Sequence, residues 1–88
     1  MTPTTIDGYL VESYSPDPAG QVALLADQVT RGSFGPATSV VYRGSIAVPG
    51  DEVAMHLFEG PDALMVAAAC RAAGVIPDRV VPIAAWVS

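Results

Sequence analysis

The chain has no lysine; its only cations are four arginines, set against nine Asp and Glu for a formal net charge of −5. Nucleic acid binding draws on counterions released when basic side chains neutralise phosphates, and anionic membrane surfaces select polybasic segments in a similar way. Neither partner suits this charge balance, and the acidic surface acts as a solubility factor instead. The single cysteine, Cys70, excludes an intrachain disulfide and every zinc motif built on several thiolates. With one histidine, His56, and no carboxylate-rich cluster, a closed transition-metal site within one copy is not expected. The apolar runs fall short of the roughly 18 residues of a membrane span, and Met1 to Asp7 lacks the basic and apolar regions of a secretory leader. A cytoplasmic protein is expected. There is also no phosphate-binding glycine loop, no Gly-x-Ser-x-Gly elbow and no His-Glu-x-x-His. Their absence argues against nucleotide-dependent enzymes, serine hydrolases and zinc peptidases.

What is present is 88 residues, 51% of them apolar. A chain this short forms one domain, burying about 63% of its extended surface around one modest core that dimerisation would help. Residues 1–7 read as a disordered tail and 8–88 as the domain. From Gly8 to Tyr14, aromatic and branched residues predict a strand that stops at Ser15-Pro16-Asp17-Pro18. Asp17 is then a helix N-cap with Pro18 at the first helical position. Val22, Leu25, Ala26 and Val29 form one apolar stripe, and Gly32 is placed to close the helix. A loop over 33–38 leads to a second strand, Ser39 to Val48. Pro49-Gly50-Asp51 is turn chemistry joining it to a third, Glu52 to Glu59, as an antiparallel hairpin. Asp62 caps a helix from Ala63 to about Ala73, ended by Gly74. Arg79 to Val87 is a last strand, and Pro82 confines it to a sheet edge.

The order β-α-β-β-α-β predicts an α+β, ferredoxin-like domain: a four-stranded antiparallel sheet with both helices on one face. The other face is left open, for a second copy or a bound partner to cover. Alternation on the third strand separates Val53, Met55 and Leu57 from Ala54, His56 and Phe58. Taking the first set as core sends His56 and Phe58 to the open face. There they would join Glu12 and Tyr14 of the first strand, opposite the inward Tyr9 and Val11. On the second strand, Tyr42, Ile46 and Val48 would point inward and Val41, Arg43 and Ser45 outward; Trp86 of the last strand would join the open face.

With the first and third strands adjacent, Glu12 would come within hydrogen-bonding reach of His56. A carboxylate beside an imidazole fixes its tautomer and raises its basicity, as a general base near neutral pH requires, and Arg43 would hold an anionic group. His56, Glu12 and Arg43 are the candidate catalytic residues. Tyr14, Ser45, Phe58 and Trp86 would line a largely apolar ligand pocket. The alternative for the same residues is a hydrogen-bonded network in a dimer core, because exposed apolar patches commonly mark association sites. Cys70 reads as a small buried hydrophobe.

Tyr9-Leu-Val-Glu-Ser-Tyr14, Tyr42-Arg-Gly-Ser45, Pro49-Gly-Asp-Glu52, His56-Leu-Phe-Glu-Gly-Pro61 and Ala73-Gly-Val-Ile-Pro-Asp-Arg-Val-Val-Pro82 resemble a family of small bacterial proteins of unknown function. Its members are often labelled nickel-binding-protein-like. The resemblance spans residues 9 to 85 and implies a ferredoxin-like fold and homodimers. The chain is also similar to dimeric α+β barrels, a group that implies cofactor-free monooxygenases, cyclases or isomerases with pockets on the open sheet face. The nickel branch carries histidines near the end of its first strand, where this chain has Glu12-Ser13-Tyr14, so no metal ligand is carried over. The leading expectation is a homodimeric small-molecule-binding protein with an aromatic or apolar ligand and no cofactor, extending to a cofactor-free enzyme of the monooxygenase, cyclase or isomerase type with its pocket on the open sheet face. The alternatives are nickel-type metal binding shared across a dimer, with His56 and carboxylates as ligands, and a purely structural module.

Overall fold

A computed structural model describes residues 8–31 and 39–83. The elements are β1 (Gly8–Tyr14), α1 (Pro18–Thr30), β2 (Val41–Val48), a 3-10 turn (Pro49–Asp51), β3 (Val53–Glu59), α2 (Ala63–Ala72) and β4 (Arg79–Ile83). The strands form one antiparallel sheet in the order β2-β3-β1-β4, with β1 and β3 central and β4 at an edge, as a ferredoxin-like domain requires. α1 lies over β2 and β3, and α2 lies over β1 and β4. The expected tail at Met1 to Asp7, the Gly32 cap, the 33–38 loop, Trp86 and the last strand beyond Ile83 fall outside the described residues.

Local chemistry accounts for the element ends. The Asp17 carboxylate accepts the Gly20 N–H at 3.1 Å, and Pro18 occupies the first helical turn, where its missing N–H leaves nothing unpaired. The Asp62 carboxylate accepts the Met65 N–H at 2.8 Å. Asp62→Ala is therefore expected to destabilise the protein by about 1 kcal/mol, measurable by urea unfolding. At the other end of α2, Gly74 N–H bonds to the Arg71 carbonyl at 3.0 Å and Val75 N–H to Cys70 at 2.9 Å. This closure needs a left-handed residue between them, and Gly74 supplies it at φ +85°. In the β2–β3 turn the left-handed residue is Glu52, at φ 50°, while the neighbouring Gly50 keeps a negative φ. Asp78 ties β4 to the end of β1: its carboxylate accepts the Tyr14 N–H at 2.8 Å and its own N–H bonds to the Glu12 carbonyl at 3.0 Å.

The faces of β3 are the reverse of those expected from hydrophobicity. Ala54, His56 and Phe58 face the helices and are fully buried, whereas Met55 and Leu57 lie half-buried on the open face. Cross-strand pairing causes this. Residues paired across an antiparallel ladder share a face, and Tyr9 pairs with Phe58 and Val11 with His56. Tyr9 and Val11 do point inward as expected, so Phe58 and His56 must as well. The Phe58 ring then fills the centre of a core built with Val11, Leu25, Val40, Val66, Ala69, Cys70, Ala73 and Val75. On β2 a bulge between Tyr42 and Gly44 inserts Arg43 as an extra residue. The alternation is thereby reset. Tyr42 stays inward, Ser45 and Ala47 turn inward with it, and Ile46 and Val48 turn out opposite Met55 and Val53.

Candidate functional site

Two groups of side chains, one on each face of the sheet, carry the distinctive chemistry. The open face has an apolar floor made by Leu10 of β1, Met55 and Leu57 of β3 and Ile46 of β2. With Gly44 and Ser45 these residues line a shallow depression of about 290 Å³. Gly44 helps to make it: its φ of +152° belongs to the bulge, and a Cβ built there would meet nothing within 4 Å. Two ion pairs stand at opposite ends of the floor. Arg79 of β4 reaches Glu12 of β1 at 3.3 Å, and Arg43 of the bulge reaches Glu59 of β3 at 2.6 Å. Both carboxylates are largely covered while both guanidinium groups stay wet, so each arginine lies over its partner.

The second group lies beneath the helices. Tyr42 Oη is hydrogen-bonded to Ser45 Oγ, and Ser45 Oγ to His56 Nδ1 at 2.7 Å. The Tyr42 ring rests against Phe58, with centroids 5.4 Å apart. His56 has no solvent exposure, and its Nε2 has no hydrogen-bond partner among the described residues; Gln21 Oε1 of α1 is in the same position. Burial pushes the His56 imidazole down from 6.5 to about 4, so it is neutral at physiological pH. Burial also pushes the Cys70 thiol up to about 12, against the smaller opposing charge of Arg71, which leaves a protonated, unreactive small hydrophobe as expected.

The catalytic constellation expected from the sequence is not assembled. Glu12 faces the open side opposite Met55 and pairs with Arg79, while His56 points to the other side of the sheet. Arg43 does lie on the open face but is held by Glu59. Of the expected pocket walls, Tyr14 is on the open face at the far end of β1 and 60% exposed, whereas Phe58 is core. Ser45 borders the depression yet turns its hydroxyl to His56. Trp86 is outside the described residues. The floor residues Leu10, Gly44, Ile46, Met55 and Leu57 were missed. A glycine inside a strand pattern, as in Tyr42-Arg-Gly-Ser45, is the signal that could have found the bulge and with it Ile46.

Among the described residues, no group of three or more His, Cys, Asp or Glu is placed to hold a metal ion, and no helix is long and apolar enough to cross a membrane. No family model, curated protein or solved structure matches the chain, so the nickel-binding-like family is not identified by comparison.

Proposed function

We propose that this is a homodimeric small-molecule-binding protein whose ligand, a compact apolar or aromatic molecule, lies on the open face of the sheet. The observation that carries this reading is the depression over Leu10, Gly44, Ile46, Met55 and Leu57. Its volume of about 290 Å³ falls just under the roughly 300–1,000 Å³ of ligand pockets, and its lining is apolar with Ser45 as the one polar side chain. Desolvating such a floor favours an apolar ligand, and the Glu12–Arg79 and Arg43–Glu59 pairs would restrain a polar substituent at either end. His56 has no part in the proposal as a base, because it is neutral, buried and on the other face. A second reading, a face that serves only as a contact between copies, is favoured by the exposure of Ile46.

Native mass spectrometry of protein freshly purified from its own host, without chelator, reports bound mass and subunit number together. Extra organic mass is the expected result. In parallel, a neutral fluorescent naphthylamine probe should bind the wild type, and Leu57→Asp, which sets a charge in the floor, should weaken binding by at least about tenfold. Equal affinity of both proteins for the probe would overturn the assignment of the site.

A further inference from the structure

Strand pairing gives the open face an approximate internal two-fold axis. Leu10 of β1 stands across from Leu57 of β3, and the two strands run in opposite directions, so a rotation about an axis through that pair carries Glu12 onto Glu59. The chain marks the same equivalence with Leu10-Val11-Glu12 and Leu57-Phe58-Glu59. Each carboxylate is met by an arginine from the edge strand beside it, Arg79 of β4 for Glu12 and Arg43 of β2 for Glu59. Both pairs abut the depression: Glu12 stands across from Met55 and Arg43 directly precedes Gly44, and Met55 and Gly44 both line it. The sheet thus offers an aliphatic floor with the same combination of charges at each end.

The chemistry of those ends selects the ligand. Arg43 sets its Nε and Nη2 against Oε2 of Glu59, and Arg79 its Nη1 against Oε2 of Glu12. A guanidinium has five N–H donors and a carboxylate about four acceptor sites, more than one ion pair consumes, so each end retains both donors and acceptors. A carboxylate on the ligand would face a glutamate as well as an arginine, and an ammonium an arginine as well as a glutamate, so charge of either sign is opposed. A neutral group that both donates and accepts, a hydroxyl or a primary amide, complements both members of a pair. Register sets the length. Glu59 lies four residues beyond Met55, the partner of Glu12, which separates the two glutamate Cα atoms by about 14 Å. With the Glu and Arg side chains occupying the two ends of that interval, what is left suits two linked aromatic rings.

We infer that the open face takes a flat, neutral, two-ring molecule with a hydroxyl or amide at each end, its apolar body on Leu10, Met55 and Leu57 and one polar group on each ion pair. The inference rests on the small-molecule reading above and deepens it by naming the class of ligand.

The probe is para,para′-biphenol, which is un-ionised at neutral pH, compared by calorimetry on the full chain with para-phenylphenol and with biphenyl para,para′-dicarboxylate. The biphenol is expected to bind at least about fivefold tighter than the phenylphenol, through one further hydrogen bond, and the dicarboxylate more weakly than either. Replacing one whole pair, Arg43→Leu with Glu59→Leu, should bring the biphenol-to-phenylphenol ratio down to about twofold or less. Equal affinities for biphenol and phenylphenol in the wild type would overturn the inference, as would tighter binding of the dicarboxylate or a ratio unchanged in the double variant. The wild-type comparison stands even if that variant fails to fold. A protein that binds the naphthylamine probe without preferring the biphenol loses only this inference; one that binds none of the four compounds loses the ligand site as well.

Discussion

Phe58→Ala is expected to destabilise the protein by about 3–5 kcal/mol, and Leu57→Ala, one residue earlier, by no more than about 1.5 kcal/mol. The two side chains have similar apolar content but opposite faces. Phe58 is fully enclosed between the sheet and both helices, so truncating it removes its transfer free energy and leaves a cavity that β1, β3 and the helices cannot close. Leu57 lies half-buried on the open face, where water fills the space it vacates. A domain of this length has only about 4–13 kcal/mol of stability in total, so the Phe58 variant should be close to unfolded in water. Urea unfolding of both variants measures the difference. A larger loss at Leu57 than at Phe58 would show that β3 faces the other way.

Stability is also expected to fall by about 3 kcal/mol as pH drops from 6.5 to about 4, through His56 alone. In the unfolded chain the imidazole takes a proton near pH 6.5, whereas burial holds off protonation in the folded state until about 4. Between these values only the unfolded state gains the proton. The contribution is therefore fully present above pH 6.5, drains away as pH falls, and levels off below about 4. The His56 share is read as the difference between the wild type and His56→Gln, which keeps a hydrogen-bonding side chain beside Ser45 without titrating. Chemical unfolding at stepped pH values should show the variant losing about 3 kcal/mol less than the wild type over this window. Parallel curves would mean that His56 is not held neutral by burial.

The same side chain shows why the candidate site was only partly legible beforehand. His56 and Glu12 are on adjacent central strands, as the element order implied, and Arg43 does lie on the open face. They do not converge, because Glu12 is opposite Met55 while His56 is opposite Val11. Alternation along a strand sorts residues into two sets but does not say which set faces the helices. The branched and long aliphatics Val53, Met55 and Leu57 looked the better core. The pairing of β3 with β1, and the space filled by one phenyl ring, decided otherwise.

By itself the sequence determined the number, type and order of the elements, and hence the antiparallel sheet with β1 and β3 at its centre. Those signals are local: Asp17-Pro18 and Asp62 at helix starts, Gly74 at a helix end, Pro49-Gly50-Asp51 between strands, Pro82 on an edge. Each acts within a few residues through a hydrogen bond or a permitted backbone angle. Only the tertiary structure decided which side of β3 is buried, that a bulge at Arg43 turns Ser45 in and Ile46 out, and that the open face has an aliphatic floor flanked by two ion pairs. These features depend on register between strands far apart in the chain, and a shift of one residue exchanges every inward side chain for an outward one.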